Sequence, residues 1–206
     1  MAVIEEIRKM IGRSKEGTLF FNNSFPGYDD EYVRHILSDL CQQEVIVRIS
    51  MGIYVKPIMS RFGVVYPPVD DIMRAIAKRD NAKILPTGNT AMNKLGLSTQ
   101  VPMNSEYITS GSAREITIGK RTIRLKRSAP RNFAYKGELM PVLVQAMKAI
   151  GKDGLTDEHI GIIRGQLKEH PEAKTWEKDL PHAPAWIRKV LTTLKKSIDN
   201  EQMDRQ

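Results

Sequence analysis

The chain has 206 residues, 41% of them hydrophobic, with 32 Lys/Arg against 24 Asp/Glu and a net charge of +8. That length supports one large domain or two small ones with real cores, and a charged fraction of 27% sits near the globular average and excludes wholesale disorder. A single cysteine excludes an intrachain disulfide framework and any cysteine-cluster metal site, and aromatics at 6% argue against a large carbohydrate-binding surface.

The start, Met1-Ala2-Val3-Ile4-Glu5-Glu6, is charged where a signal peptide needs an apolar stretch. No apolar run approaches the roughly 20 residues that span a bilayer. A soluble, cytoplasmic protein with no membrane partner is therefore expected. Val3, Ile4, Ile7, Met10 and Ile11 recur at helical spacing and predict a first helix ending at Gly12. Thr18 to Phe21 suits a strand or buried turn, and Asn22 to Gly27 is loop chemistry. A second helix starts at Asp29 or Asp30, with Tyr32, Val33, Ile36, Leu37, Leu40 and Cys41 as its apolar face and Arg34, His35, Ser38 and Asp39 facing away. Val45 to Ile49, a turn at Ser50-Met51-Gly52, and Ile53 to Lys56 then form a hairpin. Helix, turn, helix and hairpin is the order of a winged helix-turn-helix, whose middle helix here must be one turn or absent.

Pro67-Pro68 marks a boundary. Val69 to Lys78 reads as a helix, Ala82 to Leu85 as a short buried piece, Thr90 to Leu95 as a helix capped by Thr87 or Asn89, and Glu106 to Thr109 as a strand. The clearest hairpin follows. Ile116, Ile118, Ile123 and Leu125 alternate with polar residues about a Gly119-Lys120 turn, which puts aliphatics on one face and cations on the other. Met140 to Ile150, the segment after an N-cap at Thr156, and Trp186 to Leu194 read as helices. The expected fold class is α+β: a winged helix-turn-helix over 1–60, then an α+β domain over 67–196 with a small antiparallel sheet, a basic hairpin at about 114–131 and C-terminal helices, and a frayed tail over 197–206.

Charge is uneven along this order. Residues 61–130 carry twelve Lys/Arg against five Asp/Glu, whereas residues 1–60 carry seven against eight. Most of the excess lies in Arg114, Lys120, Arg121, Arg124, Lys126, Arg127 and Arg131, opposed locally by Glu115. Such clustering points to an anionic partner, nucleic acid or an acidic protein. Edge protection accounts for one or two strand cations and fits seven poorly.

Signs of catalysis are weak. His35, His159, His170 and His182 show no metal-ligand spacing, and Cys41 lies on an apolar helix face. Asp70 and Asp71 are adjacent on a helix and diverge, so they read as helix-start residues. The segment from Pro86 to Gly96 carries neither a Walker lysine nor a dinucleotide fingerprint, and Ser110-Gly111-Ser112 lacks the following D-x-D of a nucleotidyltransferase. No catalytic residue, metal or cofactor is expected.

The hairpin Ile46-Val47-Arg48-Ile49-Ser50-Met51-Gly52-Ile53-Tyr54, the run from Leu85 through Leu95-Gly96-Leu97-Ser98-Thr99-Gln100-Val101-Pro102, Tyr107-Ile108-Thr109-Ser110-Gly111 and the basic hairpin through Arg131 together resemble the AbiEi-like antitoxins of type IV toxin–antitoxin and abortive-infection systems. The likeness covers roughly residues 3 to 165. It implies an antitoxin and transcriptional autorepressor, whose winged helix binds inverted repeats in its own promoter and which counteracts a nucleotidyltransferase toxin without a stable complex. The expected contacts to double-stranded DNA are Arg34, His35 and Ser38 on the helix, Arg48, Ser50 and Lys56 on the wing, and Lys120, Arg121, Arg124, Lys126 and Arg127 on the basic hairpin. Lys9, Arg13 and Lys15 add backbone contacts. The acidic start of the second helix opposes base readout. The alternative is an interaction protein whose winged helix and basic patch bind an acidic partner directly; an enzyme acting on nucleotides is the third reading.

Overall fold

A computed structural model describes residues 3–170 and 173–203. The fold is α+β, with eight α-helices and nine strands among the described residues. It divides into two compact units, one running to Ala82 and including Ile116–Thr122, the other comprising Lys83–Glu115 and the chain from Ile123 onward.

The first unit opens with α1 (Val3–Arg13), β1 (Leu19–Phe20), a one-turn 3-10 helix (Asn22–Ser24), α2 (Asp30–Gln42), β2 (Val47–Ser50) and β3 (Ile53–Val55). This is the winged helix-turn-helix order, with the middle helix reduced to a single turn as expected. The loop length fixes that outcome, because only six residues separate Phe21 from Tyr28. Strands β1, β3 and β2 form a three-stranded sheet in that order, with Phe20 opposite Tyr54 and Val47 opposite Val55. Ile7 and Ile11 of α1 pack with Val33, Leu37 and Leu40 of α2, all 0% exposed, and Phe20 stacks on Phe25 at 5.8 Å. Two expectations fail around this core: Met10 of α1 is 46% exposed, and on α2 Tyr32 is 49% exposed. Tyr32 stands one position before Val33, about 100° around the helix, so the buried stripe passes it by.

A second hairpin follows that the sequence pattern does not announce: β4 (Ile58–Ser60) and β5 (Gly63–Val65), paired Ile58 to Val65 and Ser60 to Gly63. Helix α3 (Val69–Arg79) comes next, with Ile72 and Ile76 fully buried. Pro67-Pro68 therefore acts as a helix start, with Pro68 at the N-cap, rather than as the domain boundary expected there. The first unit continues to Ala82.

The second unit holds β6 (Ile84–Pro86), α4 (Gly88–Lys94) and β7 (Asn104–Thr109). Strand β8 (Arg114–Ile118) and strand β9 (Arg121–Arg127) are shared between the units, and the sheet order is β6-β7-β9-β8. Alternation holds as expected, since Ile116, Ile118, Ile123 and Leu125 are buried while Glu115, Thr117, Arg124 and Lys126 are exposed. Gly119 opens the turn at φ +58, the conformation a two-residue turn of type II′ requires at its first position.

Helices α5 (Leu139–Ile150), α6 (Asp157–Glu169), α7 (Ala173–Asp179) and α8 (Ala185–Met203) complete the chain. Their core joins Leu143, Met147, Ile163, Ile187 and Leu191, all 0% exposed. Asp179 is fully buried and accepts the backbone N–H groups of Lys136 and Gly137, each at 2.7 Å, which compensates its desolvation. Helix α7 has no counterpart in the sequence reading. The tail expected to fray from Ser197 instead continues α8 through Met203; residues 204–206 of that expectation lie outside the described residues. Ile198 is 2% exposed, and Glu201 accepts from Lys168 at 2.9 Å and pairs with Arg164. The Lys168 hydrogen bond, reinforced by Arg164, holds the Glu201 carboxyl below the usual range against an opposing contribution from burial. No helix among the described residues is long and apolar enough to cross a membrane.

Candidate nucleic-acid interface

Helix α2 is the second long helix of the winged helix-turn-helix order and carries the residues expected from the sequence to contact DNA. Asp29 caps it, its carboxylate accepting the N–H groups of Glu31 and Tyr32 at 3.0 Å. The cap stabilises the helix but fills donors that an incoming phosphate would otherwise use. Any contact from α2 must therefore come from side chains. Arg34 and His35 are exposed and Ser38 is half-buried. Arg34 donates to Glu31 at 2.9 Å, with both side chains more than half exposed. Such a surface pair is worth little and yields readily to a phosphate.

The wing is the β2–β3 hairpin. Arg48 is exposed, and its Nε donates weakly to the Ser50 carbonyl at 3.4 Å across a register irregularity between Arg48 and Ser50. Ser50 is half-buried, and Met51 at the tip is 84% exposed. Lys56 departs from its expected role. Its ammonium donates to the carbonyls of Gly12 at 2.7 Å and Ser14 at 2.8 Å, so it closes the C-terminal end of α1. That amine is committed to the fold and is a poor phosphate contact. Lys9, Arg13 and Lys15 are exposed.

The basic hairpin divides in the same way. In the first unit, Lys120 and Arg121 are exposed at its turn, and Tyr66 lies 3.6 Å from where a Cβ on Gly119 would stand. In the second, Arg127 is exposed, but the two central cations are paired. Arg124 donates from Nε and Nη2 to the same Glu115 oxygen, each at 3.2 Å, and Lys126 donates to Glu106 at 2.8 Å. Glu106 comes from β7, twenty residues away in sequence and brought beside β9 by the sheet order. Arg124 and Lys126 stay about half exposed, so the pairs neutralise the ribbon's centre without burying it. Beyond the strand, Lys148 donates to Asn132 at 3.0 Å, and desolvation, then the charge of Arg131, holds its ammonium below the usual lysine range.

Sequence reasoning missed the tip of β4–β5. Phe62 is 85% exposed and Met59 68% exposed, and the Arg61 guanidinium lies 4.6 Å from the centre of the Phe62 ring. Three-residue strands leave too little periodicity to read, and only Gly63, at φ +105, signals a turn. Among the described residues, no group of three or more His, Cys, Asp or Glu is placed to hold a metal ion.

A protein-family model, described as a family of unknown function (DUF6088), matches residues 6–175. No curated protein matches the chain.

Proposed function

The chain belongs to the DUF6088 family, and we propose that it is a duplex-DNA-binding protein that represses its own promoter and serves as the antitoxin of a type IV toxin–antitoxin pair. The observation that carries DNA binding is the first unit itself: a winged helix-turn-helix order, its middle helix a single 3-10 turn, in which α2 presents Arg34 and His35 to solvent and the β2–β3 wing presents Arg48. The likeness of residues 46–54 and 85–131 to AbiEi-like antitoxins supports the repressor and antitoxin roles.

Binding is governed by phosphate contacts, which position the protein, while Arg34 and His35 supply what base readout there is. The acidic N-terminus of α2 restricts that readout to the helix's middle turn. The toxin, a nucleotidyltransferase, is opposed through its effect and not through a tight complex.

Gel retardation of duplexes from the region upstream of the chain's own gene, against scrambled duplexes of equal composition, tests this. The expected result is preferential retardation of the upstream duplex, with Arg34→Ala reducing the preference by about tenfold, the loss of one base-directed contact. Equal retardation of all duplexes by the wild type removes the promoter role. A stable complex with an acidic protein that survives high salt, together with no retardation, favours direct protein contact instead.

A further inference from the structure

We propose that the β4–β5 hairpin is a second DNA-contacting wing, in which Arg61 enters the minor groove and Phe62 wedges against the base stack; this rests on the reading that the first unit binds duplex DNA. Three observations converge on its tip. First, an aromatic ring at 85% exposure forgoes the burial that a phenyl group ordinarily gains in a fold. Second, the tip is already ordered. The Ser60 hydroxyl donates to the Gly63 carbonyl at 2.9 Å and accepts the Phe62 N–H at 3.2 Å. At the base, the Ile58 Cδ1 lies 3.3 Å from where a Cβ on Gly17 would stand, so the hairpin is anchored on the winged helix while its end projects. A preordered tip loses little entropy on binding.

Third, the charge fits an anionic occupant. Residues 45–69, which contain both hairpins, carry no carboxylate, and Arg48 and Arg61 are exposed there, while Lys56 is held by the carbonyls of Gly12 and Ser14. Helix α2 and its cap carry Asp29, Asp30, Glu31 and Asp39. Within the first unit, then, the hairpins suit phosphate better than the helix does. An acid-free apolar tip would also suit a second copy of the chain, but a guanidinium held over the ring works against that occupant. Packing Phe62 into a protein face would desolvate the Arg61 charge, whereas a minor groove receives it between two phosphate rows. Arginine beside an apolar wedge is the chemistry by which proteins pry apart a base step and bend the duplex.

The test uses the full chain and an upstream duplex of about 30 base pairs, long enough to report a bend, with a fluorescent donor and acceptor at its ends. Wild-type binding is expected to raise energy transfer between the ends. Phe62→Ala should abolish that rise and weaken binding about tenfold, the loss of one stacked aromatic. Phe62→Trp should keep both. Arg61→Ala should weaken binding and lower the salt slope by about one. Thermal melts of each variant establish that it folds. Wild-type binding without a bend, or a bend that Phe62→Ala leaves intact, overturns the wedge while leaving DNA binding standing. Loss of self-association in Phe62→Ala with unchanged DNA binding assigns the hairpin to a second copy and also overturns it. Absence of wild-type binding to any duplex overturns both this proposal and the reading beneath it.

Discussion

At the scale of single residues, Lys56 shows how a cation can belong to the fold rather than to a ligand. Two carbonyls left without helical partners at the end of α1 receive its ammonium. Lys56→Met removes both bonds while keeping the aliphatic stem. It should cost about 1–3 kcal/mol of stability, read by denaturant unfolding, and leave the DNA affinity of the folded protein within twofold. A several-fold loss of affinity without loss of stability would return Lys56 to the interface. From sequence alone, a lysine at the end of a wing strand looks free, because the partners, Gly12 and Ser14, stand more than forty residues earlier. Tyr32 misleads by a different route. A tyrosine beside Val33 counts as apolar in any periodicity, yet it falls at the edge of the buried stripe.

At the scale of elements, the alternation of Ile116, Ile118, Ile123 and Leu125 makes the basic hairpin readable, since a period of two leaves a single face to bury. Its net charge is less readable. Glu115 is close in sequence and its opposition to the cations is visible there. Glu106 is not, because the pairing with Lys126 depends on β7 lying beside β9 in the sheet. The ribbon's centre is therefore held near neutrality by two carboxylates, and removing them should expose its positive field. Glu106→Gln with Glu115→Gln is expected to raise affinity for all duplexes several-fold at low salt and to steepen the salt dependence, read by fluorescence anisotropy. Unchanged affinity would place the ribbon off the DNA path and leave the interface to the winged helix and the β4–β5 hairpin. The β4–β5 hairpin and α7 are illegible for a shared reason: strands of three residues and a seven-residue helix whose main apolar anchor is Trp176 offer no repeat to detect.

At the scale of the whole molecule, the order of elements is more legible than the division into units. The winged helix-turn-helix follows from loop lengths and two amphipathic helices, and the α+β class follows from hairpins preceding helices. The division escapes because Pro67-Pro68 suits both a linker and a helix start, and because the tip of the basic hairpin groups with the first unit while its base groups with the second. A net charge of +8 then acquires its meaning from accessibility. Arg34, Arg48, Arg61, Lys120 and Arg121 are exposed, whereas Lys56 is held by carbonyls and Arg124 and Lys126 are paired with carboxylates.

The most direct measurement is the equilibrium binding of the purified full chain to a fluorescent upstream duplex, titrated across a series of salt concentrations beside a scrambled duplex. The expected result is binding at low salt whose logarithm falls linearly and steeply with the logarithm of salt, and a preference for the upstream duplex that persists as the salt rises. No binding to either duplex at low salt would contradict it.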